Sequence, residues 1–292
     1  MPGQALELAY RSARRFVKNA RLPSPRSRSQ SPPVALTIAG SDSGGGAGAQ
    51  ADLKTFAALG LHGVSALTCV TAQNPRAVSA IQACRPEIVR AQIDAVFAEL
   101  PPRAMKTGML YSAAIIAAVA QALRDRPRLP LVVDPVMVAT SGRRLLPRRA
   151  VETLERELFP LAALLTPNLM EAEVLLKRRL TSLADSRSAA RELAGAYGCP
   201  ALVKGGHLAG SDAGVDIYYD GECELALKAP YVRGLVTHGT GCTLSAAIAA
   251  YLALGHELAD AVRRGKRFLS RAIAGRWTVH GHTVLSYFSP LH

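Results

Sequence analysis

The chain reads as an α/β protein built on a mainly parallel sheet. Three observations predict this. From Val34 onward, short apolar runs alternate with segments of helical period. Polar or glycine-rich turns follow the apolar runs, as at the C-terminal ends of strands in open α/β sheets. No repeat of 20–50 residues and no linker divides Val34–His292, so one domain with right-handed crossovers is expected.

In order, Val34–Gly40 reads as a buried strand, Gly40–Gly48 (GSDSGGGAG) as a glycine loop and Ala49–Leu59 as an amphipathic helix. The loop is not a Walker A, because no Gly-Lys-Ser/Thr closes it. Asp42 and Asp52 are placed either to accept from a polar ligand or to cap and solvate. His62–Val70 is the next strand, and Thr71–Pro75 (TAQNP) is a polar loop at its end. There Gln73 offers both an amide donor and an acceptor. Val78–Ala83 reads as a short strand, Pro86–Leu100 as a helix, Ala104–Thr107 as a strand and Ser112–Arg124 as a helix. Leu131–Val133 is a strand ending in Asp134-Pro135-Val136-Met137. Glu152–Leu158 is expected helical and Ala162–Leu165 extended. Met170–Lys177 is a helix whose entrance, Asn168-x-x-Glu171, has capping-box spacing. Ser186–Tyr197 is a helix. The strand Ala201–Val203 runs into Lys204-Gly205-Gly206-His207, where a lysine can reach a phosphate as a point charge. Val215–Tyr219 and Cys223–Leu227 flank an Asp220-Gly221 turn, a hairpin signal. A last helix is expected over Leu258–Val279, and the closing HGHTVLSYFSPLH has little pattern.

Composition narrows the function classes. The hydrophobic fraction of 49% supports a sizeable core. No apolar run reaches the roughly 20 residues needed to span a bilayer. Five widely spaced cysteines, with no CxxC, point to a reducing compartment and no structural metal. The formal charge is +13, of which residues 1–33 carry +6. Ala5–Leu22 has the pattern of a short basic amphipathic helix, and Pro23–Pro33 (PSPRSRSQSPP) is too polar to fold alone. Residues 1–33 are therefore expected to be a disordered basic extension.

The chain is organised around Thr237–Leu254, THGTGCTLSAAIAAYLAL. Leu244, Ala247, Ile248, Tyr251 and Leu252 recur on one face of a 3.6-residue period. The glycine turn before them ends at a helix N-terminus, where backbone N–H groups lack intrahelical partners and the dipole is positive. Such a turn favours an anion. Cys242 stands at its mouth, where a thiolate is expected to be favoured. A plain βα turn with an inert cysteine explains this stretch equally well when it is taken alone.

Taken together, LTIAGSDSGGGAGAQADLKTFAALG, TAQNP, MKTGML, DPVM, TPNLMEAE, VKGGH and THGTGCTLSAAIAA resemble, in order, the hydroxymethylpyrimidine/phosphomethylpyrimidine kinases of thiamine biosynthesis, in the ribokinase-like superfamily. The resemblance spans most of Val34–Leu254. It implies a three-layer α/β/α sandwich, a cytoplasmic homodimer, and ATP with Mg²⁺. The reaction it implies is phosphorylation of hydroxymethylpyrimidine and then of its monophosphate. It also implies Gln73 as the pyrimidine-binding glutamine, with Gly40, Asp42, Met109 and Val136 around it. Asn168, Glu171 and Asp134 would organise Mg²⁺ and phosphates, with the metal reached through water. Lys204 would lie near the ATP phosphates, Gly239, Thr240 and Gly241 would form the anion hole, and Cys242 would be the catalytic base. The family often ends in GHGPVNHFH or similar, whereas this chain has VHGHTVLSYFSP. Two other readings stay open: a pyridoxal kinase of the same superfamily, and a nucleic-acid-binding protein using the basic excess.

Overall fold

A computed structural model describes residues 31–137, 146–206, 208, 212–228 and 238–288. The expected basic extension lies almost wholly outside them, as do His207 and Thr237.

The first unit is β1 (Val34–Asp42), α1 (Gly48–Ala58) and β2 (His62–Gln73), with β1 and β2 parallel. β3 (Val78–Ala83) returns antiparallel to β2. Next come α2 (Pro86–Glu99), β4 (Ala104–Thr107), α3 (Ala113–Arg124) and β5 (Leu131–Val133). α4 (Arg148–Thr153) continues as a π-turn over Leu154–Leu158 and a 3₁₀ turn over Phe159–Leu161. β6 (Leu164–Leu165), α5 (Leu169–Leu176), α6 (Leu183–Tyr197) and β7 (Ala201–Val203) follow. β8 (Asp216–Tyr219) and β9 (Glu224–Leu227) form the expected hairpin. The chain closes on α7 (Thr240–Ala253), α8 (Leu258–Ala274) and a second hairpin, β10 (Trp277–Val279) with β11 (His282–Val284).

Nine strands form one sheet in the order β3-β2-β1-β4-β5-β6-β7-β8-β9, parallel from β2 through β7. Strand alternation creates three layers. Leu36, Ile38, Leu131, Val133, Leu165 and Val203 face a core formed with α2, α3, α5 and α6. Ala35, Val132, Leu164 and Leu202 face the opposite core, formed with α1, α7 and α8. The chain runs from β1 to β2 and later crosses back to β4 on the other side of β1. The crevice between β1 and β4 is thus a topological switch point, where open α/β sheets bind ligands. Among the described residues no helix is long and apolar enough to cross a membrane.

Several boundaries depart from expectation for identifiable reasons. Thr71–Gln73 is strand rather than loop, because β3 pairs with it (Thr71 opposite Ile81, Gln73 opposite Val78). β1 likewise runs through Asp42, which pairs with Thr71, so the free glycine loop begins at Ser43. The helix expected over Glu152–Leu158 starts earlier, behind Pro147, and loosens into the π-turn. Ser182 caps α6 and starts it at Leu183. α8 stops at Ala274 before Gly275, and the aromatic and β-branched run Trp277–Val279 turns back through His280 and Gly281, both at positive φ. α7 is buried on nearly every side rather than along one face, since Leu244 through Ala250 are all buried.

Candidate active site

The polar segments that follow the strands meet in pairs on one edge of the sheet. The Gly40 N–H donates to the Met109 carbonyl at 3.1 Å. Gly44 packs against Gln73 and Asn74, and Gly46 packs against His238. The Met137 N–H donates to Glu171 Oε1 at 3.3 Å. Asn168 bridges Lys204 as a parallel neighbour. Lys204 in turn reaches Asp134 and the space above Gly241. Val136, half-buried, turns on its own N–H bond to the Asp134 carbonyl.

One half of the site is built around Gln73. The Ser43 hydroxyl accepts from the Gln73 N–H and donates to its carbonyl, both at 2.7 Å, which fixes the backbone. The side-chain amide lies 2.8 Å from His238 Nε2, and that nitrogen lies 3.0 Å from Asp42 Oδ2. The Asp42 carboxylate also accepts the N–H groups of Gly44, Gly46 and Ala47. Burial alone would raise its pKa, but the His238 bond and the loop N–H groups hold it below the usual value. Asp42 therefore organises the glycine loop and anchors His238, with protein donors on both oxygens. Asp52 points into the protein interior. It is fully buried, accepts from Thr37 at 2.6 Å, and is paired with the equally buried Lys106 at 2.8 Å.

The other half is the start of α7. Its N-cap, Gly239, has φ +85° and makes no side-chain cap bond. A Cβ there would stand 1.7 Å from the Gly46 carbonyl oxygen, so only glycine fits. The first intrahelical bond is Thr243 N–H to the Gly239 carbonyl, at 2.9 Å. The N–H groups of Thr240, Gly241 and Cys242 come before it and face out of the helix. Lys204 Nζ stands 2.7 Å from Asp134 Oδ1 and would be 3.2 Å from a Cβ on Gly241. Asp134 further accepts from Thr166 (3.4 Å) and Ser245 (3.2 Å). Burial alone would lower the Lys204 pKa, but Asp134 and Glu171 outweigh it and the lysine stays charged.

Cys242 lies among charges rather than hydrocarbon. Burial pushes its thiol up to about 11, and Asp52 and Asp134 add to that. The Lys106 ammonium and a hydrogen bond from the Gly48 N–H, at the start of α1, pull the other way. The expected acidic thiol is thus reversed: desolvation outweighs the helix termini. Asn168 and Glu171 form a complete capping box at α5, with Asn168 N–H to Glu171 Oε2 at 2.8 Å and Glu171 N–H to Asn168 Oδ1 at 2.9 Å. Burial raises the Glu171 carboxyl to about 7, against the pull of Lys204. His238, Lys106 and Tyr287, whose hydroxyl meets Thr243 Oγ1 at 3.2 Å, join the site without having been singled out as site residues in the sequence. For His238 the available signal was its place directly before the glycine turn.

The family model described as phosphomethylpyrimidine kinase matches residues 42–286. The chain is 48% identical over 255 residues to the thiamine biosynthesis bifunctional protein ThiED of Geobacter sulfurreducens, covering 87% of this chain but about half (51%) of that protein. It is 45% identical to the hydroxymethylpyrimidine/phosphomethylpyrimidine kinase of Synechococcus elongatus, covering 89% of this chain and 98% of that one. Among solved structures, a phosphomethylpyrimidine kinase from Clostridium difficile superposes with TM-score 0.73 at 43% identity, over 82% of this chain and 99% of that one. The ADP complex of a Bacillus subtilis pyridoxal kinase superposes with TM-score 0.81 at 36% identity, over 88% and 98%.

Proposed function

The chain belongs to the phosphomethylpyrimidine kinase family, and on that footing we propose that it moves the ATP γ-phosphoryl group onto 4-amino-5-hydroxymethyl-2-methylpyrimidine and then onto the monophosphate. The observation that carries this reading is the meeting of Lys204, Asp134 and Cys242 around an uncapped helix start, on the same loops that hold Gln73.

Phosphoryl transfer asks mainly for positioning and charge neutralisation. The N–H groups of Gly241 and Cys242 take the migrating phosphoryl oxygens, and Gly239 and Thr240 shape the turn. Lys204 leaves Asp134 to neutralise a phosphate. Cys242 receives the substrate hydroxyl proton. Only its thiolate can accept that proton, and with the thiol near 11 a small fraction of the protein carries the thiolate at neutral pH. Gln73 reads the pyrimidine edge, with Gly40, Met109 and Val136 forming the walls.

Among the described residues no three His, Cys, Asp or Glu side chains stand close enough to cage a metal. Asp134 and Glu171 supply hard oxygen atoms already bonded to protein donors. That donor set suits Mg²⁺ carried by phosphates and water. Asp134 and Glu171 would hold it at a distance, with Asn168 fixing Glu171, and when bound it would neutralise phosphate charge. The resemblance further supports a homodimer. Five free cysteines suit the cytoplasm. Many surface arginines are paired with acids, such as Arg178 with Glu192 and Arg191 with Glu224. This favours solvated faces over a nucleic-acid groove.

The likeness to pyridoxal kinases keeps a second substrate in play. An ATP-dependent assay that resolves mono- from diphosphorylated pyrimidine, run beside pyridoxal, decides between them. Diphosphate formation supports the pyrimidine reading; phosphorylation of pyridoxal alone would overturn it.

A further inference from the structure

We propose that His238 fixes which way round the Gln73 amide stands, and that this orientation turns the substrate's hydroxymethyl group toward the start of α7. The inference rests on Gln73 being the residue that reads the pyrimidine.

Gln73 Nε2 lies 2.8 Å from His238 Nε2, and Gln73 Oε1 lies 3.3 Å from Thr71 Oγ1. The two ends have the same shape, so their neighbours decide which is nitrogen and which is oxygen. His238 Nε2 also stands 3.0 Å from Asp42 Oδ2, on a carboxylate already held by three backbone N–H groups. A bare ring nitrogen facing a carboxylate would set two acceptors together. Nε2 therefore carries the proton, shared between Asp42 and Gln73, and its amide neighbour must be the oxygen. Thr71 gives the same answer independently. Its single hydroxyl hydrogen is donated to the Ser41 carbonyl at 2.7 Å, so Thr71 Oγ1 can only accept from Gln73. The hydrogen-bond partners thus call for the amide turned over, with its nitrogen toward Thr71 on β2 and its oxygen toward His238 beside α7.

Each end has capacity left over: one N–H on the β2 side and one oxygen lone pair on the α7 side. A 4-aminopyrimidine edge offers a ring-nitrogen acceptor next to an amino donor. Matching the two sets the amino group toward α7 and the ring nitrogen toward β2. The carbon bearing the hydroxymethyl group lies next to the amino-bearing carbon, away from that ring nitrogen. The hydroxymethyl group is thereby aimed toward the turn that holds Cys242. With the amide reversed, the same edge would bind with the hydroxymethyl group turned away.

The test is a cycle between protein and substrate, using the whole chain. Wild type, His238→Leu and His238→Asn are assayed with the natural substrate and with the analogue lacking the 4-amino group. Wild type should lose roughly tenfold in kcat/KM on the analogue. His238→Leu should already have lost that much on the natural substrate and lose little more on the analogue, with KM for ATP unchanged. His238→Asn, which still offers an N–H, should recover most of the loss. In parallel, long-range ¹H–¹⁵N correlations on the wild type should show the proton on Nε2. Equal loss on the analogue in wild type and His238→Leu, or a bare Nε2, overturns the proposal. Gln73→Leu separates the levels: unchanged pyrimidine binding in that variant sinks the reading of Gln73 itself. Weakened binding together with an additive cycle sinks only the orienting role of His238.

Discussion

Two of the helices that begin at this edge of the sheet treat their N-termini in opposite ways. α5 closes its own: Asn168 and Glu171 satisfy each other's backbone donors. α7 begins on a glycine with no side-chain cap, leaving its first N–H groups facing the site. A capped start contributes stability, whereas an open one is kept ready for an anion. Substitutions at the two entrances should therefore separate folding from turnover.

Gly239→Ala should have the largest effect. The positive φ alone costs about 1–2 kcal/mol, and the new methyl would overlap the Gly46 carbonyl. The loop and α7 must part, so activity should vanish and the melting temperature fall. A stable, active Gly239→Ala would contradict the fitted turn. Gly241→Ala sharpens the contrast. Its φ needs no glycine, and the added methyl meets Lys204 Nζ at 3.2 Å. Turnover should drop by about 10²-fold, the scale for disturbing one such donor site, while urea unfolding shows no loss of stability. Cys242 supplies a pH test. With the thiol raised to about 11, its alkylation by iodoacetamide should climb about tenfold per pH unit from 7 to 10, because the thiolate is the nucleophile. A plateau below pH 9 would mean an acidic thiol after all. Asn168→Ala has the smallest expected effect, about 1 kcal/mol of stability from the lost cap, read as a lower urea midpoint at unchanged slope.

What could be read from the sequence follows from range. The α5 entrance was legible because Asn168 and Glu171 are three residues apart and satisfy each other locally. The α7 turn was legible because glycines before an apolar helix leave few alternatives. His238 was not, because its partners Gln73 and Asp42 are 165 and 196 residues away in the chain. For Asp52 the two roles offered, ligand acceptor or cap, both omit its burial, since nothing local announces that Lys106 and Thr37 will enclose it. The raised thiol of Cys242 was also out of reach: a helix start predicts acidification, and only packing reveals the desolvation that reverses it. The closing hairpin was missed as well: the helical reading ran on to Val279, past Gly275, where the helix stops and Trp277–Val279 pairs with His282–Val284.

The central claim is that the open start of α7 holds the travelling phosphoryl group beside Cys242. Single-turnover transfer by Cys242→Ala, with ATP affinity measured on the same sample, tests it most directly. The account predicts a rate at least about 10²-fold below wild type, on the scale of general-base loss, with ATP affinity essentially unchanged. Transfer at the wild-type rate would contradict it.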